Sequence, residues 1–201
     1  MYHPSDRGKQ TNDQIYLNLA KSDIRSKALG YNCNVRALLH ESGHLFDRYL
    51  RISDNLPQLQ EILRDEFLLY ADNLLGTHIR FNPDLLRDKQ NGIFHPVNYY
   101  HSFTFEENKK IAFELRGDGN IIQLRNGVSD IMSGLTNDTL ILSYNHRDIP
   151  GYWARKDNMV AIEAIAHLFE AYMNGGQKYQ EFVKYFPRAM DYFEKFMEKM
   201  I

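Results

Sequence analysis

The most constraining feature of this chain is the run HESGH, from His40 to His44, inside an amphipathic stretch. Apolar residues recur around it at intervals of three and four, which predicts an α-helix over about 34–50. Residues four apart share one face of a helix, so His40 and His44 can direct two imidazoles at one metal ion. Glu41 lies beside that face, within reach of water held by such an ion. The run therefore predicts a metal centre with an adjacent base.

The pattern HExxH is typical of zinc hydrolases, and a chance match is rare in a chain of this composition, with about 0.02 occurrences expected. The alternative is a pair of surface histidines on an ordinary helix. Catalytic zinc usually keeps three protein ligands and one water. A third ligand must therefore come from elsewhere in the fold.

Length and composition indicate an ordinary globular protein. With 201 residues, 43% of them hydrophobic, we expect one domain spanning 1–201. There is no apolar run long enough for a membrane span and no secretory leader pattern at the start, which predicts a cytoplasmic protein as synthesised, with later delivery to another cell or compartment left open. The net charge of −2 offers no basis for nucleic acid binding. Cys33 is the single cysteine, so no internal disulfide can form.

The order of patterns predicts a mainly α fold of the α+β class. Further helices are expected after Pro57, after a capping box at Thr104–Glu107, and from Pro187 to the end. The apolar stripe of the last helix fits a core, with a docking face as the alternative. The remaining predicted elements are a strand at 15–20, a helix ending near Gly76, a helix at 121–132, a strand at 139–144 and a helix at 159–173.

The longer string HESGHLFD resembles the catalytic helix of the zincin metallopeptidase family that includes the anthrax lethal factor protease domain. This resemblance implies a compact zincin-like domain with a small β-sheet edge beside the HExxH helix, where extended substrate pairs. Asp47 lies on the same helix face as His40 and His44. Its carboxylate could accept the second ring N–H of a ligand histidine, and the alternative is an ion pair with Arg51.

The same resemblance implies the third ligand. A glutamate from a second helix completes the site in gluzincins, and Glu163 is the best match because Ala166 and Phe169 also coincide with the family pattern, which favours it over Glu170. The family has an acid four residues after the ligand, whereas this chain has His167. His167 could therefore support a ligand from the second shell, bind the metal itself, or simply pack.

A closer resemblance is to metallopeptidase domains attached to phage head-morphogenesis proteins and polymorphic toxins. It implies fusion to, or association with, a larger phage or toxin polypeptide. Structural alternatives remain for the matching segments: Ser129-Asp130 could cap a helix, Tyr152-Trp153 could be an apolar anchor, and His146 could have no task. The matching segments are Ser129-Asp130-Ile131, Gly134-Leu135-Thr136-Asn137, Tyr144-Asn145-His146, Tyr152-Trp153 and Glu163-Ala164-Ile165-Ala166-His167.

Together these features predict a zinc peptidase that hydrolyses a peptide or protein substrate. One Zn²⁺ would bind His40, His44 and Glu163, and Glu41 would act as general base. A donor to the developing oxyanion is expected from His146 or Tyr152. Two other functions stay open: a non-catalytic zinc module for folding or sensing, and a regulatory peptidase acting on a specific protein partner.

Overall fold

Helices make up most of the chain that the computed structural model describes, which is residues 8–11, 14–17, 33–76, 103–116, 127–136, 140, 142, 152, 153, 155 and 158–200. The mainly α prediction is confirmed for these residues. Two short strands, β1 (Gly8–Thr11) and β2 (Gln14–Leu17), pair antiparallel. The helices are α1 (Cys33–Leu50), α2 (Ile52–Asn55), α3 (Leu59–Leu75), α4 (Phe105–Arg116), α5 (Gly127–Leu135), α6 (Met159–Asn174), α7 (Gly176–Tyr185) and α8 (Pro187–Met200).

Several helix boundaries follow from local sequence signals. Helix α3 ends at Gly76, which adopts φ 69° and donates its N–H to the Asp72 carbonyl at 2.9 Å. The capping box at α4 forms as expected: the Thr104 N–H donates to the Glu107 carboxylate at 2.8 Å, and the Glu107 N–H donates to Thr104 Oγ1 at 3.3 Å. Helix α5 continues to Leu135, three residues beyond its predicted end, and positions 121–126 lie outside the described residues.

The strand predicted at 139–144 is wrong at the two positions that the structure describes. Leu140 lies in a bend, and the Leu142 N–H donates to the Leu140 carbonyl at 3.1 Å, which folds the backbone back on itself. The end of α5 satisfies the polar groups here, because the Leu140 N–H bonds Thr136 Oγ1 and the Leu140 carbonyl accepts from Ser133 Oγ. The β-branched residues at 139–144 favoured a strand. At Leu140, however, side chains at the end of α5 bond the backbone groups that a strand would use to pair with its neighbour.

Helix α6 forms the centre of the described core and packs most extensively against α1. It is buried almost all round, as expected for a helix with few polar positions. At the crossing, a Cβ added to Gly43 would lie 2.6 Å from the Ala166 Cα. The two backbones therefore approach closely because both helices carry a small residue there. This approach turns the HExxH face of α1 towards α6.

The last helix belongs to the core, which decides between the two interpretations of its apolar stripe. Ala189, Met190, Phe193 and Met197 are buried, and only Met200 at the end of the stripe is exposed. The carboxylate of Glu66 in α3 accepts hydrogen bonds from backbone amides at the start of this helix.

None of the described helices combines the length and apolarity needed to cross a membrane.

Candidate metal centre

The α1–α6 crossing brings together the three residues expected to bind a metal. Nε2 of His40 and Nε2 of His44 each lie 3.6 Å from Glu163 Oε2. Ligand atoms bound about 2.1 Å from a tetrahedral zinc ion are separated by about 3.4 Å, so these distances fit one ion. The imidazole rings are 4.8 Å apart at 85°, which keeps both nitrogens turned towards the carboxylate without stacking the rings. The donor set and its spacing therefore suit a bound metal ion.

The electrostatics of His40 and Glu163 also suit a cation. Burial, assisted by the charges of His167 and His44, lowers the pKa of His40 to about 3, which keeps its ring neutral and able to donate a lone pair. Burial alone would raise the pKa of Glu163, but His44 and His40 lower it to about 2. Burial likewise opposes the charged form of His44, and the Glu163 carboxylate outweighs it, so the pKa of His44 is raised. A buried carboxylate thus faces the imidazoles in its ionised form.

Glu41 lies close enough to this set for its carboxyl to interact electrostatically with His44 and Glu163. Its side chain is partly buried on α1, one position after His40. Burial raises the pKa of the Glu41 carboxyl, the negative charge of Glu163 raises it further, and His44 opposes the change. A raised pKa makes the carboxylate a better proton acceptor near neutral pH.

Tyr152 enters the site through Glu163. Its hydroxyl donates a hydrogen bond to Glu163 Oε1, the oxygen that does not face the histidines. Burial and the neighbouring carboxylate raise the pKa of Tyr152 above its ordinary value, so the hydroxyl keeps its proton. Its ring meets Trp153 edge to face at 5.1 Å, and Trp153 is buried against Gly134. The burial of Trp153 supports the anchor interpretation, and the Tyr152 hydroxyl bonds a candidate ligand. The role of Tyr152 as an oxyanion donor stays a prediction. The other donor candidate, His146, lies outside the described residues.

Asp47 makes contacts other than the expected histidine bond. Its Oδ1 accepts the Ser53 N–H at 2.6 Å and its Oδ2 accepts from the Ser53 hydroxyl at 3.2 Å. These bonds hold α2 against the end of α1. Arg51, the alternative partner, pairs with Asp54 at 2.7 Å. Neither of the two interactions expected of Asp47 is among its described contacts, and its role near the metal ligands stays a prediction.

His167 is buried next to the ligands. Its ring centre lies 4.3 Å from that of His40, and its nitrogens face two carboxylates, Asp130 and Glu170. Burial alone would lower the pKa of His167, but these two hydrogen bonds raise it to about 9. Sequence reasoning placed His167 near the site but missed its partners. Asp130 was noted only as part of a matching segment, and Glu170 only as a rival ligand.

A cleft of about 410 Å³ opens beside the ligands. His44 and Glu163 line one side of it, and Arg48, Arg51 and Met159 are among the residues lining the remainder. A volume of this size is within the range of small-ligand pockets and would admit side chains of a peptide. Two of the three candidate ligands, His44 and Glu163, therefore border an open cleft of the described structure.

Comparisons of the chain with protein-family models, with curated proteins and with solved structures each found no match. The function must accordingly be inferred from the residues and their geometry.

Proposed function

We propose that this protein is a zinc-dependent peptidase of the gluzincin type. The observation that carries the proposal is the convergence of His40, His44 and Glu163, from two helices, at the spacing of a tetrahedral ion. Nitrogen and carboxylate donors in this number suit zinc, which accepts both. Zinc bound there would lower the pKa of a water molecule and polarise a substrate carbonyl.

The chain's own residues supply the remaining chemistry. The Glu41 carboxylate takes a proton from the attacking water, a step that its raised pKa favours, and then passes this proton to the more basic departing amine. Tyr152 holds the Glu163 carboxylate through its hydroxyl. The open cleft beside His44 and Glu163 gives a peptide access to the ligands. An ion bound only to support the fold would need neither the cleft nor Glu41.

The zincin resemblance extends the proposal to the substrate. We infer that an extended peptide adds to the edge of the β1–β2 hairpin, since main-chain hydrogen bonds give such strands general affinity. Contacts of both strands with α1 support this role. Association with a larger phage or toxin polypeptide, and action on one protein partner, stay predictions from the sequence.

The test compares wild type with Glu41→Gln on a proteome-derived peptide library, with cleavage read by mass spectrometry and zinc measured in both proteins. We expect the variant to keep its zinc and to lose activity by about 10²- to 10⁴-fold, because a carboxamide cannot accept the proton. Glu198→Gln, on the exposed face of α8, is the matched control and should behave as wild type.

Wild-type activity in Glu41→Gln would remove the general base from the mechanism. Loss of zinc in that variant would assign Glu41 a different role. A zinc-loaded wild type that cleaves no peptide in the library would favour the non-catalytic zinc module instead.

A further inference from the structure

Four buried ionisable side chains form a continuous row, one member of which, His167, packs against His40. His167 Nε2 lies 3.1 Å from Asp130 Oδ2, and His167 Nδ1 lies 3.4 Å from Glu170 Oε2. The other oxygen of Glu170 is 3.5 Å from Lys178 Nζ. All four side chains are less than 10% exposed. We call Asp130, His167, Glu170 and Lys178 the buried row.

Among the described residues, none bonds the second ring nitrogen of His40, which is the contact that usually orients a metal-binding imidazole. A ligand histidine normally donates its second ring N–H to a carboxylate or carbonyl, which fixes the ring. Nδ1 of His40 is buried, and within the described part of the chain it has no hydrogen-bond partner. The Asp47 carboxylate, which could have served, bonds Ser53. Within the described part of the chain, the His40 ring is therefore held by a contact of another kind.

The ring of His167 supplies that contact. It packs on His40 with centres 4.3 Å apart and an angle of 46°. His167 itself has little freedom, since a carboxylate faces each of its nitrogens. The backbone at the start of α5 also closes on it: a Cβ added to Gly127 would lie 2.5 Å from His167 Cγ. A fixed ring in van der Waals contact restricts the orientations open to its neighbour.

We propose that the buried row positions His40 for metal binding, with His167 as the positioning residue and Asp130 and Glu170 as the groups that hold its ring. The inference rests on the metal centre of the proposed function. It assigns tasks to Asp130, Glu170 and Lys178, which lie outside the ligand set. Lys178, whose Nζ lies 3.5 Å from Glu170 Oε1, offsets part of the negative charge that Asp130 and Glu170 bring into the interior.

A second metal ion is the competing interpretation. His167 belongs to two further groups whose potential ligand atoms lie within 4.8 Å of one another, one with His40 and Glu170 and one with Asp130 and Glu163. Both groups need a nitrogen of His167, and each nitrogen already faces a carboxylate. A second ion would have to break one of these bonds. The positioning role leaves them in place and predicts one zinc ion per chain.

The test uses two double variants that differ in one hydrogen-bond acceptor. Glu170→Met/Lys178→Met removes the ion pair and the acceptor for His167. Glu170→Gln/Lys178→Met removes the same charges but keeps an acceptor at that position. Each variant removes both charges of the ion pair together and so leaves neither Glu170 nor Lys178 as a lone charge, and both variants should therefore fold. Far-UV circular dichroism of the metal-free proteins checks this.

Zinc affinity is measured by competition with a chelator, and Co²⁺ absorption reports the ligand geometry. We expect the Met/Met variant to bind zinc about 10- to 100-fold more weakly than wild type, with an altered Co²⁺ spectrum. The Gln/Met variant should remain close to wild type in both. Asp130→Asn and Asp130→Leu repeat the comparison at the other nitrogen if the first pair does not fold.

Equal affinity and identical Co²⁺ spectra in the matched variants would overturn the positioning role, as would two zinc ions per wild-type chain. A wild type that binds no zinc would overturn both this role and the proposed function. Because no peptide is cleaved in these measurements, a weakened Met/Met variant supports the positioning role even if the peptidase assignment fails.

Discussion

Glu163 contacts the two histidines of α1 with one carboxylate oxygen and Tyr152, which precedes α6 in the chain, with the other. Its Oε2 faces the two imidazoles, while its Oε1 accepts the Tyr152 hydroxyl. The side chain is almost fully buried, and an isolated carboxylate in that position would be strongly disfavoured. The hydroxyl donor on one oxygen offsets part of that cost, and a cation bound at the other would offset more. Tyr152 is therefore expected to act on the metal through Glu163.

Tyr152→Phe separates this task from oxyanion stabilisation. Removing the hydroxyl leaves Glu163 Oε1 without that donor, so zinc affinity should fall about 10- to 100-fold, together with kcat. Zinc competition and steady-state kinetics at saturating zinc measure the two effects. A fall in kcat with unchanged zinc affinity would instead favour the oxyanion role. If neither quantity changes, Tyr152 has no part in the site.

At the scale of elements, the close crossing of α1 and α6 sets the geometry of the centre. Gly43 lies between the two histidines in sequence and directly against Ala166 in space. The glycine that allows the approach is thus part of the same five-residue run as the ligands. Any residue with a side chain at position 43 has to push the helices apart.

Gly43→Ala should therefore weaken both the fold and the zinc site. Alanine gains up to about 1 kcal/mol of helix propensity over glycine, but overpacking costs about 1–3 kcal/mol, so the net effect is destabilising. Urea unfolding of the metal-free protein and zinc competition measure the two losses. Ser42→Ala on the same helix turn is the control. A Gly43→Ala variant as stable as wild type, with full zinc affinity, would contradict the close crossing.

A second link between elements joins α3 to α8. Glu66 Oε1 accepts the Arg188 N–H at 2.6 Å, and its Oε2 accepts the Ala189 N–H at 3.1 Å. These amides belong to the first turn of α8, which lacks intrahelical acceptors. Pro187 at the first position has no N–H to satisfy. One buried side chain thus fixes the last helix to the core.

Glu66→Ala should lower the free energy of unfolding by about 1–3 kcal/mol, because the partly buried Arg188 amide and the buried Ala189 amide lose their acceptor. Zinc affinity should stay near the wild-type value, since Glu66 does not contact the ligands. Urea unfolding checks the first expectation, with the exposed Glu61→Ala of the same helix as the control. An equal effect in both variants would mean that the cap contributes nothing measurable.

At the scale of the whole molecule, local signals predicted the elements better than the contacts between them. Periodicity and capping residues located α1, α3, α4 and α6, because those signals act within a few turns. The strand predicted at 139–144 is wrong at Leu140 and Leu142, the two described positions. Side chains of Ser133 and Thr136 bond the Leu140 backbone there. Longer range relations, such as Asp130 with His167, depend on how α5 packs on α6, and no local pattern encodes that packing.

The candidate site divides in the same way. His40, Glu41 and His44 could be predicted from spacing on one helix. Glu163 lies 119 positions after His44 and was reached only through a family resemblance. Lys178 carried no signal at all, since a lysine on an amphipathic helix is ordinarily exposed. Bound zinc would join the early and late parts of the chain, which makes the metal a link in the tertiary structure.

Equilibrium zinc binding to wild type and to Glu163→Ala tests the central claim most directly. The convergence of His40, His44 and Glu163 predicts one zinc ion per wild-type chain and much weaker binding in the variant, with Glu198→Ala unchanged. A wild type that binds no zinc, or a Glu163→Ala variant with undiminished stoichiometry and affinity, would contradict it.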